Sequence, residues 1–238
     1  MLLLLFLMAN RTSKEVFYVI IEKMFRKMDF LRGIGMFDIT NLIISVPAVL
    51  IAITVHEFSH GLAAHLLGDP TPQRQGRLTL NPISHLDPIG TLMLLVAHFG
   101  WAKPVQVNPF YFKGDQQRGM LLVSLAGPGS NIVLALLGAI LYNLFAVSGY
   151  FGYFLFMLVS INVYLAIFNL IPVPPLDGSK ILVGLLPRHL HKYIYQLEAY
   201  GPIILILLIL TNVTSKILVP VAGTIITGLF YVGQLIAG

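Results

Sequence analysis

Long apolar runs separated by short polar stretches dominate the pattern of hydrophobic and polar positions along the chain. About 20 consecutive apolar residues suffice for a helix to cross the hydrocarbon core of a bilayer. Runs near that length, or somewhat shorter, occur at residues 40–68, 119–147, 151–173, 201–213 and 216–237. The pattern predicts an all-α polytopic membrane protein with about five to six membrane segments.

A further apolar run at 88–100 is too short for a full crossing. Backbone that leaves the helical conformation at membrane depth is tolerated only where other protein covers it. We therefore expect this run to form a re-entrant or β-like loop. The run at 201–213 is also short, and it either extends back towards Tyr193 or merges with a turn at 211–215.

The amino-acid composition limits the classes of protein to which the chain can belong. Hydrophobic residues make up 57% of the 238 residues and charged residues only 11%, whereas a soluble domain carries about a quarter charged residues. This balance excludes a water-soluble globule and a disordered chain. The net charge of +5 does not indicate a nucleic-acid partner, because basic residues in short loops orient a membrane protein. The absence of cysteine excludes disulfides, cysteine catalysis and thiolate metal sites, so any metal must be held by nitrogen and oxygen.

The apolar run at 40–68 contains the pattern His-Glu-x-x-His at His56, Glu57 and His60. Residues four apart share one face of a helix, so both imidazoles can reach one zinc ion. Glu57 lies about 100° round the helix from His56, close enough to take a proton from an attacking water without binding the metal. Because strongly polar groups are costly inside a membrane helix, three together predict a functional site. The alternative is that they only bond neighbouring helices together.

A catalytic zinc site usually has three protein ligands and one open position, so a third ligand must lie downstream. Asp69 and Asp115 lie in polar loops flanked by glycine or proline, and we expect both to be solvated. Glu198 has no acidic neighbour one turn away. Asp177 is different, because it closely follows the apolar run at 151–173.

Asp177 follows a segment that cannot continue the preceding helix. Three prolines within 172–175 lack an amide hydrogen, and each disfavours helix in the residue before it. The break swings the carboxylate off the helix axis, and Gly178 permits a tight restart. An acid on a broken helix between membrane segments indicates a functional site. The alternative is that Asp177 caps a helix that begins near Ser179.

Four motifs follow one another along the chain. They are His56-Glu57-x-x-His60, Asn81-Pro82-x-x-His85-x-Asp87-Pro88-x-Gly90-Thr91, Gly127-Pro128-x-x-Asn131 and Asn169-x-x-Pro172-x-Pro174-x-Leu176-Asp177-Gly178. In this order they resemble the motifs of site-2 proteases, which are intramembrane zinc metallopeptidases. The resemblance covers about residues 40–190, and it is to the compact members that lack a PDZ insert.

The resemblance implies hydrolysis of a peptide bond in or near the transmembrane segment of single-pass membrane protein substrates. Such cleavage serves regulated intramembrane proteolysis or the clearance of signal peptides. The resemblance also implies one zinc ion per chain, held by His56, His60 and Asp177, with Glu57 as the general base. The expected surroundings are the lipid bilayer, with no nucleic acid.

Three further residues are candidates for contacts with the substrate or the transition state: His85, Asn81 and Asn131. His85 is either a hydrogen-bonded interfacial histidine or a group that stabilises the tetrahedral oxyanion. Asn81 belongs to the polar stretch 71–87, which we expect to line a water channel, and residues 77–80 within it alternate like a strand. Asn131 is expected to donate hydrogen bonds to the substrate or to groups of the zinc site.

We expect three parts of the chain: an N-terminal extension at 1–35, a catalytic membrane core at 36–192 and C-terminal membrane helices at 193–238. The extension is either native or lies upstream of a natural start at Met28 or Met36.

The depth of the predicted site constrains the topology. If Asp177 reaches the depth of His60, the runs at 40–68 and 151–173 point the same way, and the run between them points back. The chain between 69 and 118 then leaves and returns on one membrane face, with the re-entrant or β-like loop near the active site. Most basic residues of the core fall on that face. The positive-inside rule therefore predicts a cell-membrane protein whose active site lies towards the cytoplasm.

Two other classes of function compete with the enzyme. A catalytically silent membrane scaffold or chaperone would keep the fold, but degenerate relatives usually lose one of the four active-site residues, and here all four are present. A zinc or ion carrier keeps ionisable groups on several helices and often has repeated halves. Here the polar groups are predicted to converge on one site, and no repeat is visible.

Overall fold

A computed structural model describes residues 39–90, 102–211 and 213–237 of the chain. These residues form helices joined by turns and contain no β-strand, only an isolated antiparallel bridge between Leu86 and Ala102. Three single 3₁₀ turns lie at Pro82–His85, Pro109–Tyr111 and Arg188–Leu190. The α-helices are α1 (Ile39–Leu66), α2 (Thr71–Arg74), α3 (Gln116–Leu144), α4 (Gly149–Asn169), α5 (Asp177–Leu185), α6 (His191–Glu198), α7 (Gly201–Leu210) and α8 (Val213–Ala237).

Four of the described helices are long and apolar enough to cross a bilayer: α1, α3, α4 and α8. Their bounds lie within four residues of the predicted runs, and they confirm the predicted class of all-α membrane protein. The ten residues of α7 span only about 15 Å, half of a bilayer core, so the run at 201–213 does not form a continuous crossing. The described part of the chain thus holds fewer spans than the predicted five to six. Most of the run predicted to be re-entrant, 91–100, lies outside the described residues.

Helix α4 lies at the centre of the bundle. It buries 72% of its most apolar stretch, against 33–39% for the other three long helices. A helix that is apolar all round is expected to be buried in this way. One face of α4 packs with α3 and α8 around Phe156, Val159 and Val163. Another packs against α1 around Leu158 and Ile161.

The long helices run in alternating directions. Asn131 of α3 bonds to Ala52 of α1, whereas His60, further along α1, bonds to Val123, which lies earlier in α3. Helix α3 is therefore antiparallel to α1. It is also antiparallel to α4, because Gly138 packs on Val159 while Asn131 bonds to Asn162. Helices α1 and α4 consequently point the same way and end near the same depth.

The chain leaves α4 at Asn169 and restarts as a helix at Asp177. The proline-rich segment between them breaks the helix where the sequence predicted. The N-cap of α5 is Leu176, whose side chain makes no capping bond, so Asp177 is the first helical residue and not the cap. A Cβ on Gly178 would lie 2.3 Å from the carbonyl oxygen of Ile171. Glycine is needed there because the backbone packs too closely for a side chain.

We predict that Gly178→Ala destabilises the folded protein by roughly 1–3 kcal/mol, because the added methyl group forces the loop before α5 to move. Thermal unfolding of the purified protein in detergent measures the change. Gly228→Ala is the matched control, since a Cβ there meets nothing within 4 Å. Equal unfolding temperatures for Gly178→Ala and the parent would contradict the close packing of Gly178 against Ile171.

Candidate metal centre

Three metal-binding side chains meet where α1 and the start of α5 come together. His56 and His60 lie one turn apart on α1, and their Nε2 atoms are 3.0 Å apart. Each Nε2 lies 3.1 Å from Oδ2 of Asp177, which is 121 residues from His56 in the sequence. All three side chains are buried. We call His56, His60 and Asp177 the triad.

The triad fits a zinc ion by its chemistry and by its spacing. Two imidazole nitrogens and one carboxylate oxygen are ligands that zinc commonly takes, and three protein ligands leave one position open, as catalytic zinc sites require. At bond lengths of about 2.0–2.2 Å, two ligands of a tetrahedral zinc lie about 3.4 Å apart. The separations of 3.0 and 3.1 Å within the triad are within a few tenths of an ångström of this spacing.

The outer nitrogen of each imidazole is hydrogen-bonded to an acceptor on α3. His56 Nδ1 lies 2.6 Å from Oδ1 of Asn131, and His60 Nδ1 lies 2.7 Å from the carbonyl oxygen of Val123. Because both partners accept, each Nδ1 carries the hydrogen and each Nε2 presents its lone pair to the centre of the triad. Outer hydrogen bonds of this kind fix the tautomer and ring orientation of metal-binding histidines.

Asp177 completes the triad with an oxygen ligand. Its Oδ2 lies 3.1 Å from both Nε2 atoms, on the side where the two imidazoles present their lone pairs.

Gly127 of α3 leaves room for this arrangement. A Cβ at this position would lie 2.3 Å from His60 Nε2 and 2.7 Å from His56 Cε1. The approach of α3 to the triad is closest at this glycine. A Cβ on Gly129, two residues further along, meets nothing within 4 Å.

Glu57 is half-buried beside the triad and is held by a loop. Its Oε2 accepts a hydrogen bond of 3.0 Å from the backbone N–H of Val105. The extended segment 102–108 that carries Val105 is anchored at both ends. Lys103 N–H donates to the carbonyl of His85, and Asn108 N–H donates to Asp69 Oδ2. The acid predicted to be the base is thus fixed from outside the helix that carries it.

The expectation that Asp69 is solvated was wrong. Its side chain is fully buried, and it accepts hydrogen bonds from the N–H groups of Thr71 and Asn108. The loop that follows α1 and the loop that precedes α3 fold onto each other and enclose this carboxylate. Neighbouring glycine and proline in the sequence indicate a turn, but they carry no information about a second loop that covers it.

Asp115 is exposed, as expected, but it also has a structural role. It is the N-cap of α3 and accepts from the N–H of Arg118, and it pairs with Arg188 at 3.2 Å. The hydrogen bond from the Arg118 backbone lowers the pKa of its carboxyl group.

Among the described contacts, no hydrogen bond links His85 or Asn81 to the triad. His85 is fully buried, with Nε2 2.8 Å from the carbonyl oxygen of Thr79 and Nδ1 without a partner in the described structure. Asn81 is exposed and caps the 3₁₀ turn by accepting from Ile83 N–H. These contacts stabilise the polar loop. The strand-like alternation at 77–80 does not correspond to a strand.

Sequence reasoning missed Asn162 of α4, which is fully buried and bonds to Asn131. A carboxamide between Ile161 and Val163 in the middle of a membrane-length apolar run was the signal that could have found it, because polar groups inside membrane helices usually have a function. It also missed the backbone donors and acceptors of Val105 and Val123, which leave no trace in side-chain identity.

The fold and the triad together define a helical membrane protein with a metallopeptidase-type centre. The sequence profile of Peptidase family M50 matches residues 143–211. YwhC of Bacillus subtilis, provisionally named a zinc metalloprotease, is 42% identical over 184 residues, which is 74% of this chain and 84% of the relative. Rip2 of Mycolicibacterium smegmatis, with the same provisional description, is 29% identical over 182 residues, 73% of this chain and 69% of the relative. No solved structure matches the chain significantly.

The chain belongs to peptidase family M50. The identity with YwhC over most of both proteins establishes this membership. The predicted resemblance to site-2 proteases and the predicted class of enzyme, a metalloprotease, are thereby confirmed.

We predict that Gly127→Ala removes most of the metal from the purified protein. The methyl group would occupy space next to both imidazoles, so zinc content should fall from about one ion per chain to a small fraction of that. Elemental analysis of the purified protein gives the measurement. Gly129→Ala, two residues away and open to solvent or lipid, should bind as much zinc as the parent, and full zinc in Gly127→Ala would refute the assigned position of the metal.

Proposed function

We propose that the protein is a zinc-dependent intramembrane endopeptidase that hydrolyses a peptide bond in or near the transmembrane segment of single-pass membrane proteins. The observation that carries this proposal is the triad itself. Two oriented imidazoles and one carboxyl group meet within hydrogen-bond distance inside a bundle of membrane-length helices. The provisional names of the relatives describe the same chemistry.

The triad would hold one zinc ion, which, when bound, polarises the scissile carbonyl and lowers the pKa of water. Glu57 supplies the base. The bond from Val105 N–H engages Oε2 and leaves Oε1 to accept the proton of the attacking water and to pass it to the leaving amine. Because Glu57 is next to His56 on α1 and is not a member of the triad, it stays free for proton transfer.

The depth of the triad supports cleavage close to one membrane face. Helix α1 ends six residues after His60, about 9 Å along the helix axis. The polar loops at 69–90 and 102–115 cover this end of the bundle. A helical substrate hides its carbonyl groups, so it must unwind before attack, and the end of a transmembrane segment near polar groups unwinds most readily. Substrates of regulated proteolysis and leftover signal peptides both offer such ends.

We further propose that this face is cytoplasmic and that the membrane is the cell membrane. Loop contacts support a shared face, since Lys113 N–H donates to the carbonyl of Leu67 at the end of α1. The basic residues of the core on this side support the orientation through the positive-inside rule. They are Arg74, Arg77, Lys103, Lys113, Arg118, Lys180, Arg188 and Lys192.

The orientation of the protein in the membrane can be measured by labelling single introduced cysteines, because the natural chain has none. We predict that a membrane-impermeant maleimide labels Phe145→Cys in intact cells and labels Gln73→Cys only in inverted vesicles. Both side chains are exposed, and they lie beyond opposite ends of the bundle. The reverse pattern of labelling would place the triad towards the outer face.

We predict that Glu57→Gln lowers the rate of cleavage by about 10²–10⁴-fold, the contribution typical of a general base, while about one zinc ion per chain remains bound. Co-expression with tagged single-pass membrane proteins, followed by immunoblotting, measures cleavage, and elemental analysis measures zinc. Glu198→Gln replaces an exposed glutamate and should cleave at the parent rate.

Cleavage by Glu57→Gln at the parent rate would show that the base is misassigned. If the parent binds zinc but cleaves none of a broad set of single-pass membrane proteins, the proposed substrate class is wrong.

A further inference from the structure

Helix α4 carries an amide where an apolar residue would be expected. Asn162 is fully buried between Ile161 and Val163 in the most enclosed helix of the bundle. Burying a carboxamide costs free energy unless its hydrogen-bonding groups are satisfied. Its partners therefore show what the side chain does.

The amide of Asn162 is oriented by the backbone. Its Nδ2 donates a bond of 2.8 Å to the carbonyl of Leu158, one turn earlier in α4. This bond places Oδ1 on the other side, where it accepts from Nδ2 of Asn131 at 2.7 Å. If the amide of Asn162 were turned over, two NH₂ groups would face each other.

Asn131 passes this orientation on to the triad. Its Nδ2 donates to Asn162 and also to the carbonyl of Ala52, 3.0 Å away. Both hydrogens of the NH₂ group are then used, and Oδ1 must face His56 Nδ1 at 2.6 Å. The order of donors and acceptors is fixed from a backbone carbonyl of α4 to the ring of His56.

We propose that Asn162 is a positioning residue that, through Asn131, fixes the Nδ1–H tautomer and the ring orientation of His56, and thereby strengthens binding of a divalent metal by the triad. The inference rests on the proposed function, because it concerns the same metal centre. We call the hydrogen-bonded pair Asn162 and Asn131 the relay. His60 needs no relay, since its Nδ1 bonds directly to the carbonyl of Val123. The relay thus acts on one of the three ligands.

The expected effect of breaking the relay is a weaker metal site in a folded protein. Removal of an outer partner of a metal-binding histidine typically weakens metal binding by about 10–100-fold. Asn162 is one step further from the ligand than Asn131, so we expect Asn162→Leu to raise the dissociation constant for zinc by about tenfold, at the lower end of that range. Asn131→Leu should raise it more.

Two variants of Asn162 separate an effect on the metal site from a failure to fold. Asn162→Leu removes both hydrogen bonds of Asn162, and the leucine side chain brings no polar atom that would need a partner. Asn162→Ser keeps a hydroxyl that can bond back to the Leu158 carbonyl, as serine commonly does in helices, but is too short to reach Asn131. Both variants should weaken zinc binding. Asn143→Leu is the control, because Asn143 makes a similar backward bond to Ala139 on α3 and has no described bond to the triad.

The experiment is a competition titration of zinc against a chromophoric chelator with the purified full chain in detergent. The dissociation constant is measured for the parent, for each single variant and for the double variant Asn131→Leu/Asn162→Leu. If Asn162 acts through Asn131, its effect should vanish once Asn131 is replaced, so the two changes should be far from additive. The absorption spectrum of the cobalt-loaded protein should change in Asn162→Leu and stay unchanged in Asn143→Leu.

The outcomes separate this inference from the proposed function. A parent protein that binds no zinc would overturn both. A parent that binds zinc tightly, with equal affinity and an unchanged cobalt spectrum in both Asn162 variants, would overturn the relay and leave the peptidase intact. Additive effects of the two asparagine replacements would also overturn it, because Asn162 would then act independently of Asn131.

Discussion

A polar atom enclosed by apolar helices must find a partner, and the metal centre is built on that requirement. The carboxylate of Asp177 meets two imidazoles, each imidazole meets an acceptor on α3, and Asn131 in turn meets α4 and α1. Each bond joins two different elements. The contacts that shape the site therefore also hold α1, α3 and α4 in register, and neither arrangement is achieved without the other.

The direction of the chain makes the third ligand reachable. Because α3 runs back across the bundle, α4 runs parallel to α1 and ends near the depth of His60. The proline-rich segment stops α4 there, and the chain becomes helical again at Asp177, where Gly178 packs closely against the carbonyl of Ile171. A continuous helix would have carried Asp177 about 12 Å further along its axis, at 1.5 Å for each of the eight residues after Asn169. The helix break is thus part of the metal centre.

Features of the site that depend on neighbouring residues could be predicted from the sequence, and features that depend on residues far apart in the chain could not. His56, Glu57 and His60 share a helix, so spacing alone predicted that the imidazoles converge. The broken helix was equally readable, because proline acts on its own neighbours. The burial of Asp69 and the bond from Val105 to Glu57 were not readable, since both depend on two loops that meet in space. The alternation at 77–80 predicted a strand, but the backbone bends there instead.

The metal ligands and the general base are held in different ways. The triad is held by helices that pack on several sides and whose polar side chains find hydrogen-bond partners within the bundle. Glu57 is fixed by the backbone of a loop, whose main-chain N–H does not depend on the side chain at position 105. Loop sequence can therefore change without altering the donor, while loop conformation cannot. The position of Oε2 of Glu57 therefore depends on segment 102–108, whereas the positions of the metal ligands depend on contacts between helices.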